Sequence, residues 1–211
     1  MTKVKICGIK RLEDALAAAE AGADMLGFNF YRKSVRYVDP GACARISSIV
    51  RRAHPAVRLV GVFVNAPGEE ILRVLELCSL DLAQLSGDES PEFSAILGDR
   101  AFKSLHGVRE AEVESYARRR APAFLLDAGV PGAYGGTGIT TDWSSARILG
   151  RRYPLMLAGG LKPENVAEAI EQVRPWGVDA ASGVESQPGV KDAGKVRAFV
   201  EAVRSTEGRP A

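Results

Sequence analysis

Cys7 and Asp127 are the side chains in this sequence whose placement points to proton transfer. Cys7 closes the apolar run Val4-Lys5-Ile6-Cys7 and is followed by Gly8, and Asp127 closes Ala123-Phe124-Leu125-Leu126 in the same way. Bland readings compete with a functional one. A cysteine is commonly a small buried hydrophobe, and an aspartate after a strand can cap the next helix. Against the second, the next helix-period stretch begins only near Asp142-Trp143. A charge at the end of an apolar strand must find partners, face a cavity or take up a proton. In a closed site a carboxyl with a raised pKa can donate that proton. A thiol is a base only as thiolate, so its ordinary pKa of ~8.5 has to be lowered by nearby N–H groups or cations. One acid and one base is the division of labour these two groups suggest. No histidine adjoins either in sequence, and His54 lies in a helix-to-strand segment, so a Cys-His protease is weakly supported.

Anion binding is the second chemistry on offer. Gly135-Gly136-Thr137-Gly138, Ala158-Gly159-Gly160 and Ala181-Ser182-Gly183 are three glycine-rich clusters at or after apolar runs late in the chain. Glycine lets backbone N–H groups approach a ligand with no Cβ in the way. Each cluster alone could be a tight turn; three together read better as a phosphate site, with helix starts expected after Gly160 and near Ser182. GxxxxGK[ST] does not occur, and G-x-G-x-x-G is missing after the first strand, which argues against a nucleotidase loop and a dinucleotide site. Arg36, in the long segment Tyr31-Arg32-Lys33-Ser34-Val35-Arg36-Tyr37, is either a solvated loop residue or a fork for a substrate carboxylate.

The elements that must carry these residues alternate. Strand-length runs read Val4 to Cys7, Met25 to Phe30, Arg58 to Val64, Leu82 to Leu85, Ala101 to Leu105, Ala123 to Leu126, Leu155 to Ala158 and Gly177 to Ala181. Helix-period stretches between and after them read Leu12 to Ala21, Pro40 to Arg52, Pro67 to Cys78, Pro91 to Leu97, Arg109 to Arg120, Trp143 to Gly150, Pro163 to Val173 and Ala193 to Arg204. Strands alternating with helices mean a parallel sheet. Eight units in 211 residues is about 26 each, tight but sufficient for an α/β fold of the single-domain (β/α)8 TIM-barrel class over residues 1–204, with a polar tail at 205–211 expected to fray. An open doubly wound sheet is the alternative. In such barrels the site lies at the C-terminal strand ends, where Cys7, Asp127 and the glycines fall.

Composition removes other classes. A formal net charge of +2 leaves no nucleic-acid footprint. The basic runs Arg51-Arg52 and Arg118 to Arg120 fall late in expected helices, where cations complement the dipole. Cys7, Cys43 and Cys78 lie far apart without a CxxC or a nearby histidine, so neither a disulfide framework nor a zinc site is expected. No apolar stretch has the length of a membrane span, and the start runs straight into a strand without a signal peptide. A cytoplasmic protein is expected.

The chain resembles phosphoribosylanthranilate isomerases over nearly its full length. The resemblance is carried by Lys5-Ile6-Cys7-Gly8-Ile9, Gly27-Phe28-Asn29-Phe30-Tyr31 through Tyr37, Val60-Gly61-Val62-Phe63-Val64-Asn65, Gln84-Leu85 and Leu125-Leu126-Asp127. Later stretches are Gly135 to Gly138 with Asp142-Trp143, Leu157 to Leu161 with Pro163 to Val166, Val178-Asp179-Ala180-Ala181-Ser182-Gly183-Val184-Glu185 and Pro188 to Asp192. It implies an Amadori rearrangement of a phosphorylated ribosylamine in tryptophan biosynthesis, with Asp127 as acid, Cys7 as base, no metal and no cofactor. Arg36 would meet the anthranilate carboxylate, the late glycines would hold the phosphate, and the substrate-binding set would be Arg36, Gln84, Gly136, Gly138, Gly159, Gly160, Asp179, Ser182 and Gly183. The expected partner is the phosphorylated small molecule, with no nucleic acid or membrane, in a monomer or homodimer. Three positions depart from the pattern: Ser86 where the family usually has histidine, Ala181 in place of the first serine of Ser-Ser-Gly, and His106 where a small apolar residue is usual. His106 is expected to supply the contact missing at Ser86. Competing readings are a histidine-pathway sugar-phosphate isomerase, whose first strand typically ends in aspartate, and a non-catalytic phosphate-binding barrel.

Overall fold

The computed structural model describes residues 1–106, 110–117, 120–127 and 143–207, with only the backbone at 110 and 111. Eight parallel strands close into a barrel in chain order: β1 (Lys3–Cys7), β2 (Met25–Asn29), β3 (Arg58–Phe63), β4 (Leu82–Leu85), β5 (Ala101–His106), β6 (Phe124–Asp127), β7 (Leu155–Leu157) and β8 (Gly177–Ala180). The helices between and after them are α1 (Leu12–Glu20), α2 (Pro40–Ala53), α3 (Gly68–Leu77), α4 (Pro91–Ile96), α5 (Glu110–Tyr116), α6 (Trp143–Gly150), α7 (Val166–Val173) and α8 (Ala193–Ser205). This is the closed form, not the open sheet. A short antiparallel pair, β9 (Glu185–Gln187) with β10 (Val190–Lys191), follows β8 and was not expected from the apolar pattern.

Helix boundaries differ where local hydrogen bonding wins. α7 begins at Val166 rather than Pro163, because Asn165 accepts from Lys162 N–H at 2.8 Å and donates to the Gly160 carbonyl at 3.0 Å, holding Pro163-Glu164-Asn165 as a turn. Ser182–Val184 forms a single 3-10 turn rather than the start of an α-helix. Arg51 and Arg52 do occupy the last turn of α2. Arg120 lies beyond α5 and pairs with Asp99, while 109, 118 and 119 lie outside the described residues.

Strand pleating sorts the side chains into two cores. Ile6, Leu26, Leu59, Leu105, Leu126 and Val178 face the helices in one large apolar cluster. Met25, Val60, Leu82, Phe102, Leu125 and Met156 point inward and plug the lower half of the barrel. The floor under the strand ends is therefore solid.

Aspartates lock the N-terminal rim. Asp24, just before β2, accepts from Lys3 Nζ at 2.7 Å, Val4 N–H at 2.9 Å and Arg204 Nη2 at 3.0 Å. Asp81 repeats the device before β4, accepting from Leu59 N–H, with Arg51 as its cation. Arg204 also donates to the carbonyls of Thr2 and Gly22, so the end of α8 is tied to the start of β1. Ser205 remains helical and its hydroxyl donates to the Ala202 carbonyl, so the helix runs one residue into the expected tail. Residues 208–211 lie outside the described set.

Burial alone would raise the Asp24 carboxyl, but its hydrogen bonds to Lys3, the Val4 amide and Arg204 outweigh it and hold the group below the usual carboxylate range. A depressed carboxylate contributes stability above its unfolded value of ~3.9 and loses it as pH falls through the folded value. Asp24→Asn should therefore cost about 1–3 kcal/mol at neutral pH and progressively less in acid. Urea denaturation at neutral pH and near pH 3 checks this; an equal loss at both would contradict it.

Candidate active site

A cleft opens at the C-terminal ends of the strands. Cys7 from β1, Gln84 from β4, His106 from β5 and Asp127 from β6 line it, with Asp179 from β8 and Arg36 from the loop after β2. The strand residues share one parity: each sits above an inward-facing member of the lower plug or of the same stave. Of the residues singled out in the sequence, Cys7, Arg36, Gln84, Asp127 and Asp179 thus meet in one space. Ser86 and His106 line it too. Gly159, Gly160, Ser182 and Gly183 belong to the adjoining rim after β7 and β8. Gly136 and Gly138 lie outside the described residues.

Cys7 is 9% exposed. Burial pushes its thiol up and Asp179 adds to that; the ammonium groups of Lys5 and Lys191 offset only part of it, so the group stays above the usual thiol range. Lys5 is wholly buried and donates to Asp179 Oδ1 at 2.9 Å. Burial opposes its charge, yet Asp179 and Cys7 more than offset this and its pKa is raised.

A second charged group closes one side. Arg36 grips Glu185 with Nε and Nη2, each at 2.8 Å. Lys191 donates to the same carboxylate at 2.9 Å and to the Ala181 carbonyl at 2.9 Å. Burial alone would raise Glu185, but its two cations hold it below the usual range. Glu185 occupies the side-on fork of the guanidinium. The end-on fork, Nη1 with the second Nη2 hydrogen, has no partner among the described residues and is available to a ligand carboxylate.

Opposite the thiol, polar atoms wait for partners. Gln84 Nε2 donates to Ser86 Oγ at 3.1 Å, while Gln84 Oε1 and both ring nitrogens of His106 are buried with no partner among the described residues. Unmade hydrogen bonds of this kind cost on the order of 1–3 kcal/mol each, so a ligand that supplies them gains binding energy. His106 and Asp127 are register partners across β5 and β6.

The rim after β7 and β8 suits an anion. Gly159 and Gly160 adopt φ of 91° and 65°, turning the chain sharply, and their N–H groups donate to nothing among the described residues. At Gly183 a Cβ would fall on the Leu161 carbonyl, so the two loops touch only because that side chain is missing. Among the described residues no cluster of His, Cys, Asp and Glu could hold a metal.

Reasoning from sequence passed over Lys5, Glu185 and Lys191 as functional groups. Lys5 carried a signal: a lysine inside an apolar strand shares the face of the residue two places on, here Cys7. Glu185 and Lys191 carried none, because their meaning lies in which cations and anions a hairpin brings together.

Comparison with known proteins agrees with this geometry. Residues 4–202 match the family model described as N-(5'-phosphoribosyl)anthranilate (PRA) isomerase. A protein of that name from Geotalea uraniireducens is 47% identical over 201 residues, covering 95% of this chain and 98% of the relative. Another, from Citrifermentans bemidjiense, is 49% identical and covers 95% and 96%. The crystal structure of the phosphoribosyl anthranilate isomerase from Thermotoga maritima superposes with a TM-score of 0.87 at 41% identity, covering 97% of this chain and all of that one. A phosphoribosyl anthranilate isomerase solved with reduced 1-(o-carboxyphenylamino)-1-deoxyribulose 5-phosphate superposes at 0.81 and 39% identity, covering 97% of this chain and 100% of that one.

The contact at Gly183 is testable on the free protein. Gly183→Ala must push the loop after β8 off the Leu161 carbonyl, at a cost of about 1–3 kcal/mol for overpacking. Chemical denaturation should show that loss with an unchanged far-UV spectrum. Wild-type stability would mean that the loops are not held together.

Proposed function

The chain belongs to the N-(5'-phosphoribosyl)anthranilate isomerase family, and on that premise we propose that it converts N-(5-phosphoribosyl)anthranilate to 1-(2-carboxyphenylamino)-1-deoxyribulose 5-phosphate, an aldose–ketose Amadori rearrangement in tryptophan biosynthesis. Asp127 gives its proton to the furanose ring oxygen, the ring C–O bond breaks, and the nitrogen lone pair forms an iminium. That positive nitrogen acidifies the neighbouring C2′–H. The Cys7 thiolate takes the proton, and the resulting enolamine tautomerises to the ketone. Every step is a proton transfer or a bond shift within the substrate, so the route calls for neither metal nor cofactor.

The observation that carries this reading is that Cys7 and Asp127 open into one cleft from strands three places apart around the ring. In this reading the end-on fork of Arg36 takes the anthranilate carboxylate, while Gln84 and Asp179 flank the ribose chain. The phosphate goes to the N–H groups of Gly159, Gly160, Ser182 and Gly183, with Gly136 and Gly138 assigned to the same group. The solid floor keeps water to the open side of the cleft.

No helix among the described residues is long and apolar enough to cross a membrane. A small phosphorylated metabolite as the only partner and a cytoplasmic location suit this reading. A solved Thermotoga maritima relative is described as a dimeric enzyme turned into monomers; for this chain a monomer or a homodimer is proposed.

Loss of phosphoribosylanthranilate fluorescence tests the activity, with the histidine-pathway substrate run in parallel. Wild type should turn over the first. Cys7→Ser and Asp127→Asn should each lower kcat/KM by about 100-fold or more, the usual worth of a positioned acid or base. Wild-type turnover in Cys7→Ser would remove the assigned base. Turnover of the histidine-pathway substrate alone would favour that isomerase, and binding without turnover would favour a regulatory barrel.

The departures at Ser86 and His106 give a separate test. His106→Val should lose activity, and Ser86→His in the same chain should restore much of it. Effects that merely add would show that the two positions do not exchange a contact.

A further inference from the structure

Lys5 is the charged side chain most deeply placed in the barrel, and it lies two residues before Cys7 on β1, so both point toward the axis. Its stem rises beside the apolar plug and its ammonium meets Asp179, its register partner on β8. Gly27, the register partner of Cys7 on β2, completes the group. A Cβ at Gly27 would stand 2.8 Å from Cys7 Sγ and 3.2 Å from Lys5 Cε, so the sulfur and the end of the lysine stem converge on the space that glycine leaves open. A buried ion pair is a poor stability device, since apolar side chains of similar volume often serve as well or better. The lysine of this pair nonetheless ends beside the Cys7 sulfur.

We propose that Lys5, anchored by Asp179, is the positioning residue that makes Cys7 usable as a base, by holding a fixed positive charge against its thiolate. This rests on the reading of Cys7 as the base. The charged groups facing the sulfur are Lys5 on its own strand, Asp179 from β8, Lys191 from β10 and Arg36 from the loop after β2, with Glu185 behind the last two. Asp127 and His106 line the far side of the same cleft. Lys5, Arg36 and Lys191 set against Asp179 and Glu185 leave one net positive charge. A thiolate neutralises that charge and a thiol does not. Lys191 is committed to Glu185 and the Ala181 carbonyl; Lys5, though paired with Asp179, is the cation whose stem converges with the sulfur on the space beside Gly27. The thiol proton leaves to water through the mouth of the cleft. During turnover the thiolate takes the C2′ proton, which is lost the same way, while Asp127 recovers its proton from water.

The test reads the sulfur without substrate. Iodoacetamide alkylation of the whole protein across pH, scored by peptide mass so that Cys7 is separated from Cys43 and Cys78, follows the thiolate fraction. Lys5→Met should move the Cys7 inflection up by about one pH unit or more and lower kcat about tenfold near neutral pH. KM should change little, and the kcat loss should shrink as pH rises. Lys5→Arg should keep most of the wild-type profile. Lys5→Met strands Asp179, so Lys5→Met/Asp179→Asn is measured beside it; it leaves no unpaired buried charge, and because Asp179 opposes the thiolate while Lys5 favours it more strongly, it should show a smaller upward shift that still reads if the single variant fails to fold. An unmoved inflection in these variants, a kcat loss equal at every pH, or an effect confined to KM overturns the proposal. Alkylation that shifts as expected in a protein with no turnover of phosphoribosylanthranilate would overturn the substrate reading and leave the role of Lys5 standing.

Discussion

A closed ring of eight strands leaves its axis room for only one side chain in two from each stave, and everything else in this molecule follows from how that narrow space is shared. In the lower half it is filled by Met25, Val60, Leu82, Phe102, Leu125 and Met156, which seal the floor. One pleat higher β4, β5 and β6 present Gln84, Ser104 and Asp127, and β1 and β8, which add nothing to the plug, present Cys7 and Asp179. On β4, β5 and β6 the change from apolar to polar happens within two residues. It is tolerated because the barrel opens there, so the polar groups face a wet cleft backed by a dry plug.

That arrangement concentrates charge. Lys5 with Asp179, Arg36 and Lys191 with Glu185, and Lys103 with Glu89 are buried or nearly so. Each ion removed from water is expensive, and only close pairing with extra hydrogen bonds makes it tolerable. Lys103 shows the structural use of such a pair. Its ammonium donates to Glu89 and to the Gly87 carbonyl, while Glu89 accepts from the amides of Asn65 and Gly87. The turns after β3 and β4 are thereby tied together, which fixes Ser86 and Gln84 between them. The pairs at Arg36 and Lys5 border the cleft itself. They act on whatever binds there as well as on the fold.

Reading by pattern worked where the information is local. Every expected strand from Val4 to Ala181 exists within a residue or two, because period-two burial and flanking glycines and prolines are properties of neighbouring residues. It failed where the deciding partner is distant. The turn at Pro163-Glu164-Asn165 is held by an asparagine side chain that reaches back to Gly160. The β9–β10 pair is too short to leave a periodic trace. Arg36 was legible as a ligand for a carboxylate, but not as one whose side-on fork already holds Glu185, 149 positions away.

The amino-acid order on its own determined the alternation of strands and helices, the parallel sheet they imply, and the choice of a thiol and a carboxyl at the ends of β1 and β6. These follow from spacing, parity and residue type, which a linear chain carries openly. Only the tertiary structure decided that the strands close into a ring, which charges stand next to the sulfur, that Gly183 lies against the Leu161 carbonyl, and that His106 shares the cleft with Cys7 while its ring nitrogens find no partner among the described residues. The reason is electrostatic and steric. A pKa, a fork or a cradle depends on separations of a few ångströms between residues far apart along the chain, and those separations exist only once the ring has closed.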